Sequence, residues 1–463
     1  MDIEQKYQET LDYLYSFIDY SLQKTFRYSP EKFDLGRMRD FMSRLGNPQN
    51  DYQIIHVAGT KGKGSVSALC ANAIKESGTR VGLYTSPHLQ DYTERIQVDG
   101  IPISPGELID LVEEIKPQIE ESPEITTFEI TTALAFLYFA RQEVRAAVIE
   151  VGLGGRLDAT NVCTPVVTVI TSISYDHTYL LGETLAEIAG EKSGIIKPGI
   201  PVIVAPQEEE ALQVIRDIAS ERVAPLIQVG RDYQYRQIER SLQGQSLLVW
   251  NQPDPVNQAS AAAGPVGQIQ MILTIPLLGD HQVVNAATAF AALQVACNTG
   301  VQVSEAGIQK GFRSVHWPAR FEILQHFPPV VIDSAHNRDS AKKLRAVLED
   351  YYPGMAFILV FGASEDKDIP GMFAELGPGV KKIVTTKSTH PRAADPLKLV
   401  EMAEEIGYPA VATNSVEEAM EAADRLAGGE ALILVTGSIF VAAAARSTWL
   451  SRLREEDFTF TGI

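Results

Sequence analysis

Short apolar runs rich in β-branched residues alternate with amphipathic segments from about Tyr52 onward. Eight of these runs have the length of buried strands: residues 53–59, 146–152, 165–173, 201–206, 329–335, 357–363, 382–387 and 431–437. Runs of this kind are typical of strands covered on both faces, and helices between them connect neighbouring parallel strands. The alternation therefore predicts an α/β fold with mostly parallel sheet. In such folds ligands bind beyond the carboxyl ends of the strands.

The chain length favours two or three domains, because 463 residues exceed the usual size of one. A new series of strands and helices begins after RSVHWPAR at 313–320. We therefore place a larger N-terminal domain at 1–315 and a smaller C-terminal domain at 316–463. The segment 241–270 is rich in Gln, Pro, Ala and Ser and interrupts the alternation. We interpret it as a polar excursion and not as a domain.

Charge and cysteine content argue against several protein classes. Lys and Arg number 40 against 59 Asp and Glu, and a net charge of −19 disfavours nonspecific binding to nucleic acid. Cys70, Cys163 and Cys297 form no CxxC pair, which argues against a disulfide framework or a cysteine zinc site. No signal peptide or membrane-spanning stretch is recognised. We expect a cytoplasmic monomer that binds neither membrane nor nucleic acid.

The most specific local motif is a glycine-rich loop between a predicted strand and a predicted helix. It consists of Gly59, Thr60, Lys61, Gly62, Lys63, Gly64 and Ser65. Its backbone amides can surround an oxyanion, Lys63 can reach the terminal phosphates and Ser65 can approach Mg²⁺. The loop departs from GxxxxGK[ST] because Gly64 separates Lys63 from Ser65. It indicates a nucleoside-triphosphate site, and the alternative is an ordinary glycine-rich turn.

This loop is similar to the GTxGKG[ST] loop of the Mur-ligase-like ATP-dependent amide-bond synthetases. Within that superfamily the chain resembles the folylpolyglutamate synthase and dihydrofolate synthase family from about Asp34 to Ser438. The motifs are DLGRMRDFMSRLGNP (34–48), YTSPHLQDYTERI (84–96), FEITTALAF (128–136), IEVGLGGRLDATN (149–161), SYDH (174–177), GEKSGIIK (190–197), LLGDHQVVNAATA (277–289), WPARFE (317–322) and DSAHN (333–337). The resemblance implies a P-loop domain followed by a Rossmann-like α/β domain.

The resemblance also implies two magnesium ions and three side chains that contact them. Glu150 ends a predicted strand, and a carboxylate oxygen is a natural Mg²⁺ ligand, although a strand-end ion pair would use the same residue type. His177 matches a histidine that ligates the second ion in the family. Imidazole is an unusual ligand for a hard cation, so chemistry alone favours an ordinary loop histidine. Ser86 matches a further contact, for which a turn cap is the alternative.

Lys192 in GEKSGI matches a lysine that CO2 carbamoylates in the family. Carbamoylation requires a neutral amine, so burial must lower the pKa of this lysine. Without the resemblance, an ordinary surface lysine would be the default interpretation. The resemblance thus assigns catalytic roles to Lys63, His177 and Lys192.

Further nucleotide contacts are implied beyond the loop. The matching positions are Asn285, Arg320, Asp333 and His336, and the guanidinium of Arg320 suits a phosphate. The family's usual WPGR and DGAHN read WPAR and DSAHN here. These differences question the local backbone geometry at Ala319 and Ser334.

A pteroate pocket is implied by two of the motifs. Its residues are Thr126, Thr127, Phe128, Glu129, Leu157, Asp158 and Ala159. Phe128 can stack on a flat heterocycle and Asp158 can accept hydrogen bonds from its edge, although the residues alone favour an ordinary buried helix for FEITTALAF and a core position for Phe128. Lys387, His390 and Arg392 are candidates for holding the incoming L-glutamate.

We therefore predict an ATP-dependent ligase that adds L-glutamate to a folate, and also to dihydropteroate, through an acyl phosphate. Another Mur-like ligase is one alternative, but only about 50 residues precede the loop, too few for a UDP-sugar-binding domain. A P-loop switch module without ligase activity is the other. The choice between folylpolyglutamate synthase alone and a bifunctional enzyme stays open.

Overall fold

A computed structural model of the protein describes residues 2–18, 35–252 and 269–460, with side chains up to residue 454. Asp34, where the resemblance begins, lies outside these residues. The chain forms two compact units. The first unit comprises Met1–Pro276 and His281–His316, and the second comprises Leu277–Asp280 and Trp317–Ile463. The chain passes from the first unit to the second for the last time between His316 and Trp317, and the predicted boundary between residues 315 and 316 lies one residue earlier. Nothing in the sequence had pointed to the short excursion at Leu277–Asp280.

The first unit contains an eight-stranded sheet in the order β4-β3-β2-β5-β1-β6-β7-β8. Its strands are β1 (Gln53–Ala58), β2 (Val81–Tyr84), β3 (Ile96–Val98), β4 (Ile101–Pro102), β5 (Ala146–Glu150), β6 (Val167–Ile170), β7 (Val202–Val204) and β8 (Leu226–Gln228). The six strands from β2 to β8 in this order are parallel, and β3 and β4 add an antiparallel edge. All residues of β5, and all of β1 except Gln53, are buried.

Ten α-helices are described in the first unit, of which α9 begins at Asp280, the last residue of the short excursion. They are α1 (Ile3–Tyr15), α2 (Leu35–Arg44), α3 (Lys63–Glu76), α4 (Pro105–Glu120), α5 (Thr127–Arg141), α6 (Thr178–Leu181), α7 (Leu185–Ser193), α8 (Glu209–Glu221), α9 (Asp280–Asn298) and α10 (Glu305–Ser314). Capping boxes begin α4, α5 and α7, where a side-chain oxygen accepts a backbone N–H and a glutamate three residues later accepts in return. These side-chain hydrogen bonds therefore define the first residues of the three helices.

The interpretation of residues 241–270 as a polar excursion is wrong for part of the segment. Strands β9 (Tyr233–Ser241), β10 (Gly244–Asn251) and β11 (Gln270–Ile275) form a three-stranded antiparallel sheet, while 253–268 lie outside the described residues. Leu247 and Val249 of β10 are buried, and their neighbours alternate with them in exposure. This period of two was present in GQSLLVWN, but the surrounding polar composition obscured it.

The second unit has a six-stranded sheet in the order β12-β13-β17-β14-β15-β16. Its elements are β12 (Glu322–His326), β13 (Pro329–Ile332), α11 (Arg338–Tyr351), β14 (Phe357–Phe361), α12 (Ile369–Leu376), β15 (Val380–Thr385), α13 (Pro396–Glu405), β16 (Ala410–Ala412), α14 (Val416–Ala427), β17 (Leu432–Thr436) and α15 (Ile439–Phe460). Only β12 is antiparallel to its neighbour. All eight predicted strands are present, and the predicted α/β class is confirmed. None of the helices in the described part of the chain is long and apolar enough to cross a membrane.

Candidate active site

The glycine-rich loop connects the end of β1 to the first residue of α3. Gly59 has φ +148° and Gly62 has φ +92°, conformations that side chains disfavour. Space is also restricted, because a Cβ at Gly59 would lie 1.9 Å from Thr171 Oγ1 and one at Gly62 would lie 2.3 Å from Asn285 Oδ1. The loop thus requires glycine at both positions. It also brings Asn285, a predicted nucleotide contact, against the backbone beside Lys63.

Strand register brings four loops to one edge of the first sheet. Val57 in β1 is level with Glu150 in β5, and Ala58 is level with Ile170 in β6. On the other side of β5, Tyr84 in β2 is level with Ile149. Because these strands are parallel, Glu150 at the end of β5 and the loops that lead to Lys63, Ser86 and His177 all lie at the same edge of the sheet.

Two ion pairs connect the lysines of the glycine-rich loop with Glu150 at the end of β5 and with Asp176 in the segment after β6. Lys61 Nζ lies 3.0 Å from Asp176 Oδ2, and Lys63 Nζ lies 3.9 Å from Glu150 Oε1. His177, which follows Asp176, has a left-handed backbone (φ +50°), and its Nε2 lies 4.0 Å from Asp176 Oδ1. Asp176 was not among the predicted site residues, although its charge within SYDH is visible in the sequence. The Asp176 carboxylate balances the positive charge of Lys61, one of the two lysines in the loop.

The oxygen donors near the loop fit Mg²⁺ that arrives with a nucleotide. Glu150 is only 5 % exposed at the end of β5, and Ser86 is half-buried at the same edge. Among the described residues there is no group of three or more His, Cys, Asp or Glu side chains that could hold a metal ion. Mg²⁺ is typically bound by one or two carboxylates together with substrate phosphates, so a sparse protein donor set suits it. Glu150, Ser86 and His177 could hold such an ion.

Lys192 is buried in the last turn of α7, with 5 % of its surface exposed. Its Nζ donates a hydrogen bond to the Gly59 carbonyl oxygen at 3.0 Å. The pKa of Lys192 is lowered to about 7, mainly by burial and also by the positive charges of Lys63 and Lys61, while Asp176 and Asp158 oppose the shift. The expected fall in pKa is therefore present, and a large fraction of this amine is neutral near pH 7.

The first predicted acceptor motif lies at the start of α5. Thr126 caps the helix and forms a capping box with Glu129, whose carboxylate also pairs with the Arg37 guanidinium at 3.0 Å. The Thr127 hydroxyl donates to the Leu14 carbonyl oxygen at 2.9 Å. Phe128 differs, because its ring is half-buried and packs on the loop after β5. Phe128 is therefore the member of this group that presents apolar surface.

The second acceptor motif is the loop from residue 152 to 159. A Cβ at Gly152 would lie 2.4 Å from Phe128 Cζ, so the loop backbone contacts the ring directly. Asp158 Oδ2 accepts from the amides of Gly152 and Leu153 at 3.0 and 2.9 Å. Its Oδ1 accepts from the amide and hydroxyl of Thr160. These four bonds occupy the carboxylate, so Asp158 shapes the loop in this structure.

The other two residues of that motif, Leu157 and Ala159, flank Asp158. Leu157 is half-buried and Ala159 is buried. Leu157 thus has side-chain surface available to a ligand, whereas Ala159 contributes mainly to packing.

In the second unit, the predicted nucleotide residues lie together after β13. Asp333 accepts hydrogen bonds from the amides of Phe321 and Ala335 at 2.8 Å each. The Arg320 guanidinium donates to Ser334 Oγ, and the carbonyl oxygen of Ser334 lies 3.0 Å from His336 Nδ1. This part of the chain brings Arg320, Asp333 and His336 into one cluster.

The two departures from the family motifs have different consequences. Ala319 has φ +55°, so the backbone keeps the left-handed conformation that a glycine would adopt more easily. This costs about 1–2 kcal/mol. Ser334 has no such conformation, and its side chain contacts Arg320 instead.

The candidates for holding L-glutamate also lie in the second unit. His390 stacks on Phe440 with ring centroids 4.5 Å apart, and Arg392 lies 3.6 Å from Asp366. Lys387 is exposed at the end of β15. Two of the three thus already have partners within the unit.

Comparisons with known proteins assign the class. The Mur ligase middle domain matches residues 57–293, and the Mur ligase glutamate ligase domain matches residues 319–439. The first match contains the glycine-rich loop, Glu150 and Lys192, and the second contains Arg320, Asp333 and His336. The fold and the loop therefore define a Mur-type, ATP-dependent ligase.

Individual relatives narrow this class to a family. The dihydrofolate synthase/folylpolyglutamate synthase of Bacillus subtilis is 36% identical over 88% of this chain and 92% of its own. The Mycobacterium tuberculosis folylpolyglutamate synthase complexed with ADP has a TM-score of 0.85 at 32% identity, covering 97% of this chain and 99% of that one. A folylpolyglutamate synthase complex with AMPPCP and folate has a TM-score of 0.80 at 33% identity, covering 96% and 99%. The chain belongs to the folylpolyglutamate synthase and dihydrofolate synthase family.

Proposed function

We propose that this protein joins the amino group of L-glutamate to the γ-carboxylate of a folate, using ATP and Mg²⁺. One observation carries the proposal. Gly152, whose backbone contacts the half-buried ring of Phe128, lies two residues after Glu150, which is 3.9 Å from Lys63. A flat acceptor bound beside Phe128 would thus place its carboxylate toward the phosphate loop. The solved complex of a relative with AMPPCP and folate supports a protein that binds both a nucleotide and a folate.

The residues of the first unit can be given roles in an acyl-phosphate mechanism. Lys63 and the loop amides would hold the β- and γ-phosphates, and Glu150, Ser86 and His177 would hold Mg²⁺, which neutralises triphosphate charge when bound. A carboxylate oxygen of the acceptor attacks the γ-phosphorus, and ADP leaves. The amine of L-glutamate then attacks the acyl carbon, and phosphate leaves.

Lys192 would act as a carbamate. Its neutral amine attacks the carbon of CO2, a C–N bond forms and one proton is released, which leaves an anionic group where the sequence has an amine. Burial and the pKa of about 7 support this reaction, because the amine is neutral without a strong base. The anion would face the metal and orient it.

The second unit would supply the remaining contacts. Arg320, Asp333 and His336 would provide nucleotide contacts, as the family resemblance implies, and the domain at 316–463 would bind L-glutamate. We also propose that the protein works as a cytoplasmic monomer without nucleic-acid or membrane partners. Its net charge of −19 and its unpaired cysteines support this environment.

Dihydropteroate is the second acceptor that we propose. The name of the Bacillus subtilis relative, which combines both synthase activities, supports it. Phe128 packs on the loop backbone and would contact the flat pterin ring, which both acceptors share.

A panel of acceptors tests the proposed function. Purified protein is incubated with ATP, Mg²⁺ and L-glutamate together with tetrahydrofolate, dihydropteroate or no acceptor, and ADP release is measured. Release that requires both an acceptor and L-glutamate supports the ligase, and D-glutamate serves as the matched control. Release without an acceptor would favour a nucleotide switch, whereas activity only with a UDP-sugar peptide would favour another Mur ligase.

A further inference from the structure

A chain of hydrogen bonds runs from the middle of the central strand β1 to the loop beside Phe128. His56 is completely buried in β1, and its Nε2 lies 2.8 Å from Thr160 Oγ1. The same Thr160 oxygen lies 2.5 Å from Asp158 Oδ1. Asp158 in turn accepts from the amides of Gly152 and Leu153. None of the roles assigned above uses His56 or Thr160.

The directions of these hydrogen bonds follow from the carboxylate. Three backbone N–H groups, those of Gly152, Leu153 and Thr160, donate to Asp158. Burial raises the pKa of Asp158, and these hydrogen bonds oppose the rise because they favour the ionised form. The Thr160 hydroxyl also donates to Asp158, through Oδ1, so both carboxylate oxygens accept in this cluster. The Thr160 oxygen then accepts from His56, which requires the proton on Nε2.

The opposite side of the imidazole is consistent with this tautomer. His56 Nδ1 lies 3.7 Å from Cys163 Sγ, and an unprotonated Nδ1 can accept from the thiol. Burial lowers the pKa of His56 to about 3, and burial likewise raises the pKa of Cys163 to about 12. Both groups are therefore neutral near pH 7, and the ring acts as a fixed donor toward Thr160.

The end of this chain is the backbone that contacts Phe128. A Cβ at Gly152 would lie 2.4 Å from Phe128 Cζ, so a shift of this backbone changes the surface beside the ring. The glycine-rich loop begins at Gly59, directly after β1, and takes no part in these hydrogen bonds. Disrupting this chain of hydrogen bonds should therefore change the acceptor surface more than the nucleotide site.

We propose that His56 and Thr160 are positioning residues for the acceptor: they act through Asp158 to hold the backbone of Gly152 and Leu153 against Phe128. Neither residue contacts substrate in this scheme. The inference rests on the proposed function in one respect, because it takes the surface beside Phe128 as the acceptor site.

The hydroxyl of Thr160 provides a matched pair of variants. Thr160→Val keeps the shape but removes the donor to Asp158, whereas Thr160→Ser keeps the hydroxyl. We expect Thr160→Val to raise the KM for tetrahydrofolate about tenfold while the KM for ATP stays within about twofold, and Thr160→Ser to resemble the parent protein. Equal changes in both KM values, or a Thr160→Val variant with unchanged acceptor KM, would contradict the proposal.

A second pair at His56 tests the direction of the chain. The amide nitrogen of His56→Gln can occupy the position of Nε2, whereas that of His56→Asn can reach only the position of Nδ1. His56→Gln should retain the parent acceptor KM, and His56→Asn should match Thr160→Val. In the double variant His56→Asn/Thr160→Val, the acceptor KM should rise by less than the product of the two single increases, because both substitutions break the same chain of hydrogen bonds. If the two increases in acceptor KM simply multiplied, His56 and Thr160 would act independently, which would contradict the proposal.

Measurements without turnover separate this inference from the ligase assignment. Long-range ¹H–¹⁵N correlation on the histidine-labelled parent protein should show His56 as the Nε2–H tautomer, and hydrogen exchange at the Leu153 amide should be faster in Thr160→Val than in Thr160→Ser. An Nδ1–H tautomer, or equal exchange in the two variants, would refute the positioning role even if the protein ligates glutamate. If the Nε2–H tautomer and the faster exchange in Thr160→Val were both observed but the protein ligated no glutamate, the proposed function alone would be overturned.

Discussion

The Lys192 side-chain nitrogen donates a hydrogen bond to the carbonyl oxygen of Gly59, the first residue of the phosphate loop, at 3.0 Å. This contact places a buried amine directly beneath the backbone that would surround the triphosphate. A carbamate nitrogen retains one hydrogen, so the bond to Gly59 can persist after CO2 adds. The modification and the shape of the phosphate loop are therefore compatible.

The pH dependence of activation follows from the pKa of Lys192, which burial lowers to about 7. Protonated amine predominates below that pH and cannot attack CO2, whereas neutral amine predominates above it. Activation of CO2-depleted protein by bicarbonate should therefore increase as the incubation pH rises through 7. Initial rates after incubation at several values, all assayed at one common pH, measure this. Activation that falls with rising pH would contradict a carbamate.

Lys192→Ala should be inactive but rescued by a small carboxylate. Acetate or formate can enter the cavity left by the side chain and replace the missing anionic oxygens, and the rate should rise with its concentration. A lysine that served only as a cation would not be replaced by an anion. Chloride at matched ionic strength is the control, and equal rescue by chloride would remove the argument for a carbamate. Planar density beyond Nζ in a high-resolution map of active protein would support it directly.

Lys63→Ala should reduce ligation about a thousandfold, because the transferring phosphoryl group loses its charge partner. Lys75, exposed near the end of the same helix, provides the matched control Lys75→Ala, which should keep the parent rate. Steady-state ADP release measures both. Near-normal turnover in Lys63→Ala would disprove the phosphate role of this lysine.

Glu150→Gln should raise the Mg²⁺ concentration required for half-maximal activity and lower kcat, since it removes one ligand charge at nearly constant shape. The fold should persist, because the carboxylate is at the end of β5. Glu113→Gln, on the exposed face of α4, is the control. If the Mg²⁺ titration and kcat were both unchanged, Glu150 would be a structural partner of Lys63 only.

Gly62→Ala should weaken ATP binding as well as stability. Its positive φ alone costs about 1–2 kcal/mol, and the new Cβ would also displace Asn285. Gly46 has a similar φ of +81° with nothing within 4 Å of a Cβ, so Gly46→Ala isolates the backbone cost. Thermal unfolding and the KM for ATP should change together in Gly62→Ala, whereas Gly46→Ala should change unfolding alone. Equal ATP affinity in the two variants would show that Asn285 does not contact the nucleotide.

The parallel sheets were predictable because buried strands such as 357–363 and 431–437 are continuously apolar. The sheet of β9 to β11 was missed because its alternation is confined to short runs between polar segments. Within the site, the loop from Gly59 to Ser65 was visible from glycine spacing. Asp176, His56 and Arg37 were not, because their roles depend on partners 92 to 115 positions away in sequence, such as Lys61, Thr160 and Glu129. Pairings over such distances follow from strand order, which local patterns do not specify.

The loop beside Phe128 also touches the helix that carries Lys192. A Cβ at Gly155 would lie 2.8 Å from the Lys192 carbonyl oxygen, and one at Gly194 would lie 2.3 Å from Arg156 Cβ. Lengthening or reshaping this loop to accept a different substrate would therefore displace the lysine backbone as well. Laboratory evolution of acceptor preference should consequently proceed through side chains such as Phe128 and Leu157, while insertions in this loop would sacrifice turnover before they altered selectivity.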